Sequence, residues 1–314
     1  MTFTLTPQGP YNLVAQNRYF GGWAQLCDGA SPIVMAFPVE GWNNSAAVVA
    51  DQDENAVVHG TVHGGGDSER AWRQALAVLS LDIDGTGYPD VGKRDPVVGG
   101  LQQEHSYLRP VLFHSPYEAA CSFVIGHRLR IVQGRAIRQR LAQAFGDAID
   151  VGGKLYHAFP RPQRLLDVHE IPGLPAQKVA RLQGIAHATL QGGLDRDALR
   201  ALPLTEAYAR VKALRGVGDF FATGIVLRGA GVVDALPNDE ITLAGVQRFY
   251  KLAGRPTMAE FEAVAGPWRP YRMWCSVLVH ASERRARDRS PDVTGRPRPV
   301  ARRPPQRPVQ GRSR

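Results

Sequence analysis

The residues of this chain best placed to do chemistry are one aspartate at the mouth of a helix and two glycines just upstream of it. Asp239 follows Pro237 and Asn238 and precedes the apolar-periodic run ITLAGVQRFY. A carboxylate at that point is favoured by the helix dipole and stays ionised near neutral pH, although a plain N-cap aspartate carries the same signature. Upstream, KALRGVGDFFATGIVLRGAG reads as helix, tight turn and a helix over 219–230. Gly216 and Gly218 flank Val217. The glycines let the backbone turn sharply without a Cβ in the way, and the turn ends where free amides and the dipole favour an anion such as a phosphate. An ordinary αα-hairpin with a glycine turn has the same pattern.

Other motifs carry less. Leu81-Asp82-Ile83-Asp84-Gly85-Thr86 is similar to the nucleophile motif of haloacid-dehalogenase-type phosphatases. That chemistry needs Asp82 at the end of a buried strand, a later lysine and an acidic pair for a metal. Here the segment follows a helix, and no strand–helix alternation comes after it. The same residues are a fragment of a calcium loop without its third acid or distal glutamate. His59 and His63 alternate on one expected strand with no third ligand nearby. Cys27, Cys121 and Cys275 lie far apart and read as buried free thiols. No metal site is expected.

These candidates must be positioned by a chain of 314 residues, enough for about two domains. The first 95 residues carry short β-branched runs (SPIVMAFPVEG, SAAVVADQDE, NAVVHGTVHG) and then a helix opened by Ser68 and Glu69, with Trp72, Ala75, Leu76 and Leu79 on one face. They form an antiparallel α/β unit. Residues 96–282 turn helical. Ser115–Glu118 and Thr257–Glu260 are capping boxes, Thr205 caps TEAYARVKAL, and the helix–hairpin–helix spans 205–230. The formal charge of +9 is concentrated in the last segment: from Ser282 to Arg314 there are eleven arginines against three acids, leaving the rest near neutral. Residues 283–314, rich in Pro and Arg, read as a disordered tail, either solubilising or an arm that raises polyanion affinity in a salt-dependent way. No run is long and apolar enough for a membrane span, and the N-terminus has no signal-peptide pattern, so a cytoplasmic, nucleoid-associated location is expected.

Taken together, the hairpin LRGVGDFFA, the loop RGAGVVDALPNDE and the later GPWRPYRMW resemble the helix–hairpin–helix superfamily of DNA glycosylases, most closely the bacterial 3-methyladenine type. YHAFPRPQRLLDV and HEIPGLPAQKVARLQGIA resemble the same family, and the likeness covers residues 95–282. It implies an α+β fold: mostly helical glycosylase domains preceded by a small TATA-binding-protein-like antiparallel sheet. It implies that Asp239 is the catalytic carboxylate and that the amides of Gly216, Val217 and Gly218 grip phosphate, with a monovalent cation held by hairpin carbonyls and no other cofactor. Arg128 stands where the family has its wedge residue, with Arg130 beside it at the DNA. Phe220, Phe221, Trp274, His280, Gly224 and His127 fall at the base pocket.

The departures also speak. Phe220 replaces the lysine of bifunctional relatives, so no Schiff base and no strand cleavage are expected. Gly224 replaces a tyrosine, so a wider pocket and bulkier adducts are expected. The resulting reading is a monofunctional, monomeric enzyme that flips out and excises alkylated bases from double-stranded DNA in base excision repair. The alternatives are a non-catalytic damaged-DNA-binding protein and a phosphatase using Asp82.

Overall fold

The computed structural model describes residues 1–19, 25–26 and 32–289. Cys27 and most of the basic tail lie outside these residues. The first unit contains β1 (Thr2–Leu5), α1 (Leu13–Tyr19), β2 (Gln25–Leu26), β3 (Ile33–Pro38), β4 (Ser45–Gln52), β5 (Val58–Gly64) and α2 (Ser68–Val78). The strands make one antiparallel sheet in the order β1-β5-β4-β3-β2. The runs expected as strands are β3, β4 and β5. Inward side chains such as Phe37 and Val48 meet Ala71, Trp72, Ala75 and Leu76 of α2 in one core. Asp67 rather than Ser68 caps α2, accepting from the amide of Arg70. His59 on β5 pairs with Asp53 at 2.9 Å. Among the described residues, no group of three His, Cys, Asp or Glu side chains is placed to hold a metal, and no helix is long and apolar enough to cross a membrane.

The rest is helical, apart from one hairpin: α3 (Tyr88–Arg94), α4 (Pro96–His105), α5 (Pro116–Gly126), α6 (Ile131–Phe145), β6 (Ala148–Val151), β7 (Lys154–His157), α7 (Pro162–Leu166), α8 (Ala176–Leu190), α9 (Arg196–Ala201), α10 (Leu204–Lys212), α11 (Asp219–Gly224), α12 (Glu240–Phe249), α13 (Met258–Val264) and α14 (Arg272–Arg289). The fold is therefore α+β, as the sequence implied. The helix expected over 219–230 changes character midway: after α11 the backbone widens into a π turn at Ile225–Ala230, closed by Gly231 N donating to the Val226 carbonyl at 3.1 Å. Thr205 does not cap α10; Pro203 stands at that position. Ser115 caps α5 through the amide of Glu118, but the Glu118 carboxylate turns to His114 and Arg138 instead of closing a box. Thr257 and Glu260 do close one.

Two expected boundaries move. The break after residue 95 falls between α3 and α4, which pack on each other and share a core with α12 and α14 through Tyr88, Val98, Val246 and Leu278. Asp95 caps α4 and also accepts from Tyr250 Oη and Trp268 Nε1, so it belongs to the helical body. At the other end, residues 283–289 continue α14 rather than starting a tail. Glu283 is buried there and pairs with Arg287 at 2.6 Å and Arg248 at 3.7 Å. Arg109 ties the two bodies together. Its guanidinium donates to the carbonyls of Gln8 and Ser80 and stacks 4.9 Å over the Trp274 ring.

Candidate active site

Asp239 caps α12. Its Oδ1 accepts from the amides of Ile241 (3.1 Å) and Thr242 (2.9 Å) and from His280 Nδ1 (3.1 Å), while Oδ2 accepts from Thr242 Oγ1 (2.6 Å). The packing of α12 on α14 brings His280 to it across 41 residues of sequence. The carboxylate is neither buried nor free: its side chain keeps 25% exposure. Burial would raise its pKa, but the bonds from His280 and Thr242 outweigh that and hold it at about 2. It is thus a fixed negative charge at any physiological pH. The π turn contributes Arg228, whose charge interacts with Asp239 while its Nη2 donates to the Val111 carbonyl at 2.7 Å.

The glycine hairpin joins α10 to α11. Gly216 has φ +89°, a left-handed conformation that favours glycine, and the Arg181 side chain of α8 fills the space where its Cβ would point. Of the three amides expected to face an anion, that of Val217 donates to the Leu214 carbonyl at 3.1 Å, and its side chain joins the core. The Val217 amide is thus spent inside the turn, while Gly216 and Gly218 are both exposed.

Arg128 lies in the turn between α5 and α6 with φ +57°, a conformation uncommon for residues other than glycine. Lys178 of α8 braces this turn: its Nζ donates to the carbonyls of Ile125 (2.9 Å) and His127 (2.6 Å) from a buried position. Arg128, Arg130 and His127 are all exposed on this turn. Lys178 was missed in the sequence, yet it carried a signal, since it lies on the same apolar stripe as Val179, Leu182 and Ile185.

The pocket residues divide. Phe220, 58% exposed, Phe221 and His127 gather with Phe123 of α5: ring centroids are 6.3 Å for Phe123–Phe220, 5.4 Å for Phe123–Phe221 and 5.5 Å for His127–Phe221. Gly224 does not widen the site. A Cβ there would lie 2.2 Å from Phe123 Cζ, so the Phe123 ring already occupies the room that the glycine leaves, and the expectation of a larger pocket is overturned. Trp274 is only 2% exposed and packs on Tyr88, Tyr271 and Arg109, so it is a core residue and not a pocket wall. His280 belongs to Asp239 rather than to the aromatic group. Asp82 is paired with Arg200 at 2.5 Å and sits in a turn after α2, not at a strand end, which removes the phosphatase geometry.

The Gly224–Phe123 fit is open to measurement. Gly224→Ala is expected to lower stability by about 1–3 kcal/mol through overpacking. Phe123→Ala is itself destabilising, so the double variant should lose less than the sum of the two single losses in urea denaturation. Additive losses would mean that the two residues do not share the space.

The order of these parts, with a sheet unit leading into a helical body whose glycine hairpin runs through a loop to an aspartate at a helix start, is the fold of the helix–hairpin–helix DNA glycosylases. The likeness read from the sequence is borne out. The structure superposes on a 3-methyladenine DNA glycosylase from Archaeoglobus fulgidus with a TM-score of 0.73, at 17% identity, over 90% of this chain and 98% of that one. It superposes on the apo 8-oxoguanine glycosylase/lyase of Clostridium acetobutylicum with a TM-score of 0.64, at 16% identity, over 89% and 94%. In sequence the chain is 25% identical to the DNA-3-methyladenine glycosylase of Bacillus subtilis (strain 168) across 207 residues, 64% of this chain and 68% of the relative. No protein-family model matches.

Proposed function

We propose that this protein is a DNA glycosylase that flips an alkylated base out of double-stranded DNA and hydrolyses its glycosidic bond without cutting the strand. The observation that carries the reading is the Asp239 carboxylate, kept ionised by four hydrogen bonds and still partly open to solvent. A base must leave the stack before such a group can reach its sugar. In this reading the exposed Gly216 and Gly218 approach the backbone, and Arg128 fills the gap that the base leaves behind. The base itself lies against Phe220 and Phe221. N-alkylated purines are cationic, so aromatic faces attract them, and they leave as neutral molecules. As the bond breaks, positive charge grows on the sugar. A preorganised carboxylate stabilises that charge more than it stabilises the ground state.

The absence of strand cleavage is part of the same proposal. Phe220 offers no amine where bifunctional relatives have one. Of the nearby lysines, Lys178 is spent on two carbonyls and Lys212 is paired with Asp219 at 2.6 Å. The test is incubation with randomly methylated duplex DNA and mass spectrometry of the released bases. The expected products are 3-methyladenine-type bases and abasic strands that break only on alkali treatment. Binding with no base released would reduce the protein to a damage-binding module.

A further inference from the structure

The same site divides its chemistry between two residues. Asp239 is an ionised acceptor, so the His280 nitrogen 3.1 Å from its Oδ1 must be the one that carries the hydrogen. Thr242 Oγ1, which spends its own hydrogen on Asp239 Oδ2, lies 3.2 Å from the same nitrogen as a second acceptor. In the neutral ring this leaves Nε2 as a bare lone pair, without a protein partner among the described residues, on a side chain that is 36% exposed.

Resting on the glycosylase reading above, we propose that His280 is the general base of the reaction, with Asp239 orienting its ring while stabilising the charge on the sugar. The glycosidic C1′–N bond breaks, and its electron pair departs with the cationic alkylated purine, which leaves neutral. A water oxygen bonds to C1′, and its proton passes to His280 Nε2. The imidazolium so formed is paired with Asp239 and then releases its proton to solvent, which resets the ring. Asp239 is poorly suited to take that proton itself. Its Oδ1 already accepts three hydrogen bonds and its Oδ2 accepts the Thr242 hydroxyl. A carboxylate held at about 2 is a weak base. One group therefore holds charge and the other moves a proton, the arrangement in which each can be tuned separately.

Single-turnover excision from methylated duplex DNA tests this with two variants. In His280→Asn the amide nitrogen replaces Nδ1 as donor to Asp239 but nothing replaces Nε2. His280→Ala removes both. Thermal melting and binding to abasic duplex check that each variant folds and docks. The expected result is that the asparagine variant binds normally yet excises about a hundredfold more slowly, and that added imidazole speeds the alanine variant in proportion to its concentration. If His280→Asn excises within about threefold of the wild-type rate, the ring only positions Asp239 and the proposal is overturned. A lack of imidazole rescue in a folded, binding alanine variant overturns it as well. A wild-type protein that releases no base fails both readings together, which separates that outcome from the other two.

Discussion

Asp239→Asn is expected to fold and bind DNA as the wild type does while excising bases about a thousandfold more slowly. Asparagine is nearly the same shape and is as good an N-cap as aspartate. Its carbonyl oxygen can keep accepting from the amides of Ile241 and Thr242, which supply two of the four bonds seen at this side chain. What it loses is the full negative charge. Removing a single preorganised electrostatic partner of a developing charge typically costs on the order of 3–4 kcal/mol in the barrier. The substitution therefore separates the cap from the chemistry, which Asp239→Ala would not do, since the lost cap alone costs about 1 kcal/mol of stability. Single-turnover assays on methylated duplex, beside melting curves and abasic-DNA binding, read out the three properties. An asparagine variant with undiminished excision would remove Asp239 from the mechanism.

The largest stability effect is expected at Glu118. Its side chain is buried on α5, where it accepts from His114 Nδ1 at 2.7 Å and from Arg138 of α6. Breaking a buried pair by deleting one partner leaves the other charge uncompensated and costs about 3–5 kcal/mol. For a chain of this size, Glu118→Ala should lower the melting temperature by roughly 10 °C. Burial pushes the Glu118 carboxyl up, but His114 and Arg138 more than reverse this and bring it down to about 2 from an ordinary 4.5. Because the folded value is depressed, the stabilisation is complete above about pH 4.5 and disappears as the pH falls towards 2. Its size is about 3 kcal/mol. Urea midpoints at neutral and acid pH should therefore converge between wild type and Glu118→Gln as the pH drops. Parallel curves would show that the carboxylate is not paired in solution.

What the sequence made legible was whatever local pattern decides. Strands β3, β4 and β5 followed from alternation, and the place of Asp239 at the start of α12 followed from an extended proline segment meeting an apolar period. Most of the misreadings were decisions made by distant packing; those at the Val217 amide and at the caps of α2 and α10 were local. Gly224 read as open space because a missing side chain says nothing of what fills it, and Phe123, about a hundred residues earlier, does. That His280 meets Asp239 was not legible, because only the docking of α14 on α12 turns its ring there. The Val217 amide read as free because its acceptor, the Leu214 carbonyl, is set by how tightly the hairpin closes. Residues 283–289 read as the start of a tail because their composition cannot build a core, yet they continue α14, where Glu283 pairs with Arg248 and Arg287. The two-domain outline was visible, but its seam was not, since Asp95 caps one helix while receiving side chains from two later segments.

Lys178 and Arg181 stand three residues apart on α8, one clamping the carbonyls behind Arg128 and the other lying against Gly216. The two loops that the proposed function sends to the DNA are therefore braced on successive points of a single rod. Their spacing is set by one helical turn rather than by the length of any linker. The span of duplex between the two grips then behaves as a gauge with a fixed jaw, and it is the nucleic acid that must yield to the width of that jaw.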